Sequence, residues 1–204
     1  PTTRFYEKFL DSCEEKDASI TEAKLGKIIE LGDAQIEIIA PCSKSYENVN
    51  NYSVGLFLTH GENTFIFTGD AEALAEKEME ASGKLRHADV YKAGHHGSKT
   101  SSSTALLEVI KPEIVCVCCC AGSTEYTTVN ENTFPTQDFI NRVSKYTDKI
   151  YVTSIDSNNE FGYTSFNGNI IVSLVNGVVT VNCSNNNMIL KDTVWFKENR
   201  KWPV

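Results

Sequence analysis

Phe65-Ile66-Phe67-Thr68-Gly69-Asp70 is an apolar run that halts on a glycine and a carboxylate, and Ala88-Asp89-Val90-Tyr91-Lys92-Ala93-Gly94-His95-His96-Gly97-Ser98 repeats the plan with two imidazoles at its end. Between them, Ala71 to Ala81 is rich in Ala, Glu, Leu and Met and reads as a helix. Strand, helix, strand is the unit of a layered α/β protein, and such proteins build sites at the carboxyl ends of their strands. If the two strands are neighbours, Asp70 and the histidines meet at their tips.

Working outward, Ser53 to Thr59 pairs with Thr64 to Thr68 around Gly61-Glu62-Asn63. Leu25 to Ile29 and Gln35 to Ile39 read as a hairpin around Leu31-Gly32-Asp33, stopped by Pro41. Thr3 to Lys16 carries Phe5, Phe9 and Leu10 at helical spacing, the pattern of an amphipathic surface helix. Beyond the histidines, Ser101-Ser102-Ser103 offers hydroxyls to cap a helix that begins near Thr104. Glu113 to Cys119 is a continuous apolar strand, expected to be buried on both faces. Phe134-Pro135 opens a helix to about Lys145, Lys149 to Ser154 is a strand, and Tyr163 to Val175 with Val178 to Asn182 forms a terminal hairpin around Asn176-Gly177. The expected class is α/β (α+β), with residues 1–182 forming one domain and a polar tail, 183–204, docking on it through exposed-looking Trp195, Phe196 and Trp202.

The 204 residues can bury a sizeable core. With 41% hydrophobic and 23% charged residues the composition excludes disordered, collagenous and coiled-coil chains. A balance of 19 Lys+Arg against 27 Asp+Glu gives a net charge of −8, which repels polyanions at long range and argues against a sequence-independent nucleic-acid coat protein. No run approaches the roughly 20 apolar residues of a membrane-spanning helix. The 7 cysteines are an odd number, so at least one thiol lacks an intramolecular partner. Cys116, Cys118, Cys119 and Cys120 crowd one strand; Cys116 and Cys119 have metal-site spacing but would point to opposite faces, so these residues read as compact core hydrophobes.

His95 and His96 lie between glycines, in a loop that can turn sharply and aim a ring nitrogen at a metal ion. From the residues alone, Asp70 and a histidine at strand tips are a metal pair, an acid/base pair or plain polar strand ends. Asp70 could equally be a helix N-cap. His60 and His87 stand alone and read as exposed polar positions.

The series Asn50-Asn51-Tyr52-Ser53-Val54-Gly55-Leu56, Phe65 to Asp70 and Ala88 to Ser98, in this order and at these separations, resembles the metallo-β-lactamase-like domain of the ComEC family of competence DNA-uptake proteins. Weaker similarity runs through Lys111-Pro112-Glu113, Phe134-Pro135 and Ile150-Tyr151-Val152-Thr153, covering roughly residues 25 to 180. The resemblance implies a four-layer αββα sandwich, N-terminally incomplete here, with two divalent metal ions, zinc or manganese. It implies that Asp70 bridges the ions, that His96 is a further ligand and that both are catalytic. It also implies that His95 and Ser98 meet the substrate, a phosphoester in DNA or a small phosphodiester, while Asp89 and Lys92 support the loop.

The chain departs from that family in two ways. The motif His-x-His-x-Asp-His is absent, and Phe134 stands where many relatives have a histidine. Asp70 and His96 are two ligands where zinc sites generally use three or four, so this polypeptide alone is expected to hold metal weakly or not at all. It opens on Pro1 rather than Met, and a missing N-terminal portion is expected. Strands removed from a two-sheet sandwich leave an open edge and bare apolar surface, so self-association, strand exchange or a separately cleaved N-terminal piece is expected too. A non-catalytic binding module on the same scaffold is the alternative.

Overall fold

The computed structural model describes residues 3–157 and 162–203. A helix, α1 (Arg4–Glu15), precedes eight strands that hydrogen-bond in chain order: β1 (Ile28–Leu31), β2 (Ala34–Ala40), β3 (Gly55–His60), β4 (Asn63–Phe67), β5 (Val90–Lys92), β6 (Ile114–Ala121), β7 (Ile150–Asp156) and β8 (Tyr163–Ser165). The first four run antiparallel, with two-residue turns at Gly32-Asp33 and Gly61-Glu62. From β4 to β7 the strands are parallel, and β8 returns antiparallel.

Parallel neighbours require crossovers, which are α2 (Ala73–Ala81), α3 (Thr104–Ile110) and α4 (Gln137–Val143). Strands added successively in one direction through right-handed crossovers put every connecting helix on the same face. That face carries the core: Ala75 and Met79, Leu106, Leu107 and Ile110, and Phe139, Ile140 and Val143 pack on Ile66, Tyr91, Val115, Val117, Ile150 and Val152. The alternate residues Phe65, Val90, Ile114, Cys116 and Tyr151 point the other way, as the period of two requires. They are covered by a hairpin of β9 (Ile170–Val175) and β10 (Val178–Cys183), through Ile170, Val172, Val179 and Val181. Asn176 and Gly177, both at positive φ, close that hairpin in the two-residue form its twist favours.

The result is a mixed α/β sandwich of helices, a large sheet and a smaller one, as the sequence class required. The cover is unequal. Ile171, Val175 and Val178 on the outer side of the hairpin are exposed, as are Phe5 and Phe9 of α1. A crevice of about 660 Å³ between the hairpin and the large sheet is lined by Leu31, Leu58, Phe65, Phe67, Ile170 and Leu174 among others. Among the described residues no helix is long and apolar enough to cross a membrane.

Three local expectations change. The stretch from Tyr163 to Val175 is two strands in two sheets, because Asn167 and Gly168 turn the chain between them. Asn167 is fully buried; its Oδ1 accepts from the Val152 amide at 2.8 Å and its Nδ2 donates to the Asn186 and Met188 carbonyls at 2.9 and 3.0 Å. In β6 only the first half is covered on both sides: Cys116 is buried, Cys118 is exposed, and Cys119 and Cys120 lie between. The tail aromatics are not solvent-facing. Phe196 of α5 (Val194–Asn199) is buried, and Arg200 beside it donates to the carbonyls of Thr133 and Pro135, both at 2.9 Å.

Asn167→Ala leaves the Val152 amide buried without its acceptor and is expected to cost about 2–3 kcal/mol. Urea denaturation measures this; a loss below about 0.5 kcal/mol would mean that the crossing between sheets does not depend on Asn167.

Candidate functional site

β4 and β5 are hydrogen-bonded neighbours, with Phe65 beside Val90 and Phe67 beside Lys92. Because they run parallel and in step, the chain leaves both at one edge of the sheet. The His95 amide donates to the Gly69 carbonyl at 3.0 Å, tying the two exits together. Asp70 Oδ1 then lies 3.8 Å from His96 Nε2, both side chains partly open to solvent.

The turn Gly94–Gly97 is unusual backbone. His95 and His96 take φ of 44° and 56°, two consecutive left-handed residues that carry a Cβ. L-residues resist that conformation, and it persists only where the surroundings dictate it. Here they do. The Gly94 amide donates to Tyr91 Oη at 2.9 Å, the Gly94 carbonyl accepts from Ser101 Oγ at 2.8 Å, and the Gly97 carbonyl accepts from the amide and hydroxyl of Thr136. Gly97, at φ 78°, lies so close to Pro135 that a Cβ would stand 2.7 Å from the Pro135 Cβ.

These constraints fix the His96 ring. Its Nδ1 is 2.6 Å from the Cys118 carbonyl, which can only accept, so Nδ1 carries the hydrogen. In the neutral ring the lone pair at Nε2 faces the Asp70 carboxylate. Asp70 is not spent on capping α2, whose N-cap is Glu72; its own amide donates to Ser53 Oγ at 3.0 Å. Two acceptors facing each other across 3.8 Å form a gap that a proton or a cation satisfies.

Around this pair stand Ser98 and Phe134, which the sequence singled out, and Glu72, Thr100 and Tyr126, which it did not. Glu72 Oε1 lies 3.7 Å from His95 Nδ1, and its carboxylate is held by Asn48, Asn50 and Thr100. In a glutamate-rich helix nothing marks Glu72 except its place two residues after Asp70. Ser98 is buried; its hydroxyl pairs with Thr100 Oγ1 at 3.1 Å, and Thr100 in turn approaches His95 Nδ1 at 3.4 Å. Phe134 sits on the histidines, its ring centroid 5.8 Å from that of His95 and 6.1 Å from that of His96, with Tyr126 at 6.1 Å beyond.

Asp89 does not support the loop. It lies at the other end of β5, where it accepts from the Thr64 amide at 2.6 Å and pins the start of β4. Lys92 lines the apolar crevice. His60 and His87 are exposed, as expected, with His87 near Glu113. Among the described residues no group of three His, Cys, Asp or Glu side chains comes together as a metal cage.

No family model matches the chain. It is 33% identical over 107 residues to ComE operon protein 3 of Bacillus subtilis (strain 168), which covers 52% of this chain and 14% of that protein. Recombination protein 2 of Haemophilus influenzae is 35% identical over 82 residues, 40% of this chain and 10% of the relative. Competence protein ComA of Neisseria gonorrhoeae is 28% identical over 127 residues, 62% and 17%. The similarity is to competence proteins of the ComEC family. The chain spans less than a fifth of the length of each of these relatives.

Gly69, at φ 57°, passes close to Ser53; a Cβ there would stand 2.8 Å from the Ser53 Cβ. Gly69→Ala is therefore expected to lose about 2 kcal/mol or more, from the left-handed backbone and the displaced Ser53 together. Chemical denaturation tests this, and a variant as stable as the parent would contradict the close approach that sets Asp70.

Proposed function

We propose that Asp70 and His96 are ligands of a divalent-metal centre, zinc or manganese, in a phosphoester hydrolase of metallo-β-lactamase type, and that its remaining ligands come from residues outside this chain. The observation that carries this reading is the gap of 3.8 Å between Asp70 Oδ1 and the lone pair of His96 Nε2. Two donors each about 2.1 Å from a tetrahedral ion stand about 3.4 Å apart, so small side-chain adjustments fit one cation between them. Bound there, divalent ions supply Lewis acidity toward a phosphoryl oxygen and lower the pKa of water.

The chain's own residues do the rest. The Cys118 carbonyl holds the His96 tautomer that leaves Nε2 free. Asp70 orients its Oδ1 toward the same gap and can take a proton. His95, whose Nδ1 faces Thr100 and Glu72, has Nε2 left for the substrate, and Ser98 backs it through Thr100. Phe134 closes one side with an apolar ring. DNA is the first substrate to test because the relatives are competence proteins. The competing reading, a binding module without turnover, is favoured by Phe134 and by the absence of a three-ligand group among the described residues.

The test uses the full-length protein that contains this chain, with metal content and hydrolysis of bis-p-nitrophenyl phosphate measured together. Asp70→Ala and His96→Ala are each expected to lower turnover by about 100-fold or more and to reduce bound metal. Equal turnover in Asp70→Ala would remove Asp70 from the mechanism; ligand binding without turnover in the parent would select the binding module. For DNA, cleavage should fall steeply as salt rises, whereas a small phosphodiester should respond little.

A further inference from the structure

Behind the histidine turn lies a buried charged clamp that the proposed chemistry does not use. Glu76 of α2 is fully buried. Its Oε1 accepts from the Ser102 amide at 2.7 Å and its Oε2 from the Ser103 amide at 2.6 Å, so both oxygens act as acceptors, as in an ionised carboxylate. Burial nonetheless pushes its carboxyl above the usual range, against these hydrogen bonds and the charge of Arg142. Arg142 of α4 approaches the same segment from its carbonyl side. Its Nε donates to the Ser102 carbonyl at 2.8 Å, and its Nη2 donates to those of Ser101 and Lys99 at 2.8 and 3.1 Å.

Two consecutive peptide units, Ser101-Ser102 and Ser102-Ser103, are therefore each gripped at both ends, with the carbonyl on the guanidinium and the amide on the carboxylate. Each is polarised along its dipole between opposite charges. Between them Ser102 takes φ 54°, a left-handed value that an unrestrained serine avoids. The serine segment in turn holds the histidine turn: Ser101 Oγ donates to the Gly94 carbonyl, and Ser102 Oγ pairs at 2.8 Å with Tyr91 Oη, which receives the Gly94 amide. There is no room for error at Gly94, where a Cβ would meet Thr68 Oγ1 at 2.8 Å and Tyr91 Oη at 3.1 Å.

We propose that Glu76 and Arg142 are positioning residues, which act through Ser101, Ser102 and Tyr91 to hold the left-handed His95-His96 turn and thereby aim His96 at Asp70. The functional weight of this inference rests on the reading of His96 as a metal ligand, but its structural content does not, and the test needs no metal. Glu76→Gln keeps the volume but replaces one acceptor oxygen with an amide nitrogen that cannot receive an N–H. Arg142→Lys keeps the charge but cannot span the carbonyls.

In this chain, amide exchange at Ser102 and Ser103 is expected to rise about tenfold or more in Glu76→Gln. Nitrogen-15 NMR of the imidazoles is expected to change from one Nδ1–H tautomer of His96 to an averaged pair in both variants. Asn167→Ala, destabilised where the chain crosses from β8 to β9 and outside the serine segment, serves as the control for general loosening and should retain the single tautomer. An unchanged His96 tautomer in a folded Glu76→Gln or Arg142→Lys protein overturns the proposal, and so does equal loss in the control. If Glu76→Gln does not fold, Arg142→Lys decides. A clamp that fails this test leaves metal binding by Asp70 and His96 standing, and metal binding that fails leaves the tautomer result unaffected.

Discussion

The parallel, in-register pairing of β4 with β5 is the constraint from which the rest of the molecule's chemistry follows. With Phe67 beside Lys92, the chain leaves both strands at one level, and three further residues bring Asp70 to the height of the histidine turn. A slip of one residue would send the alternate side chains to the wrong face: Ile66 and Tyr91 would leave the helical core, and Phe65 and Val90 would leave the hairpin. The hydrophobic alternation that fixes the fold thus also fixes the separation of the two site residues.

Packing alone does not produce the histidine turn. Successive left-handed residues cost free energy, and what offsets that cost here is a set of buried hydrogen bonds rather than apolar contact. Tyr91 illustrates the division. Its ring lies in the core between sheet and helices, while its hydroxyl, whose pKa burial raises well beyond the ordinary tyrosine range, stays protonated and joins Gly94 to Ser102. Glu76 and Arg142 continue the same logic outward into α2 and α4, so two helices that cover the sheet also grip the segment behind the site.

Much of this was legible in the sequence. Hydrophobic period and turn chemistry located every strand of the large sheet but its last, and Gly69-Asp70 and Gly94 to Gly97 marked where Asp70 and His96 come together, because glycines flank polar residues at the ends of apolar runs. Other features were less legible. Tyr163 to Val175 reads as one strand only when the turn signal Asn167-Gly168-Asn169 inside it is passed over; the chain changes sheet there, and Asn167 anchors the break through three backbone partners remote in sequence. Ser101 to Ser103 reads as a capping run, yet only Ser103 caps α3, while Ser101 and Ser102 turn inward. Glu72, Glu76 and Arg142 look like ordinary charges of surface helices, since burial of a charge depends on partners that no local pattern announces. Trp195, Phe196 and Trp202 read as exposed because their neighbours are polar, although Arg200 and the carbonyls it reaches draw that segment inward.

The most direct measurement is anomalous diffraction from crystals of a longer protein that carries this chain together with the remaining ligands, soaked in a zinc or manganese salt. One anomalous peak is expected between Asp70 Oδ1 and His96 Nε2, about 2.1 Å from each, with His96 Nδ1 still on the Cys118 carbonyl. Well-ordered Asp70 and His96 side chains with no peak between them, or turned away from one another, would contradict a shared cation at the strand tips.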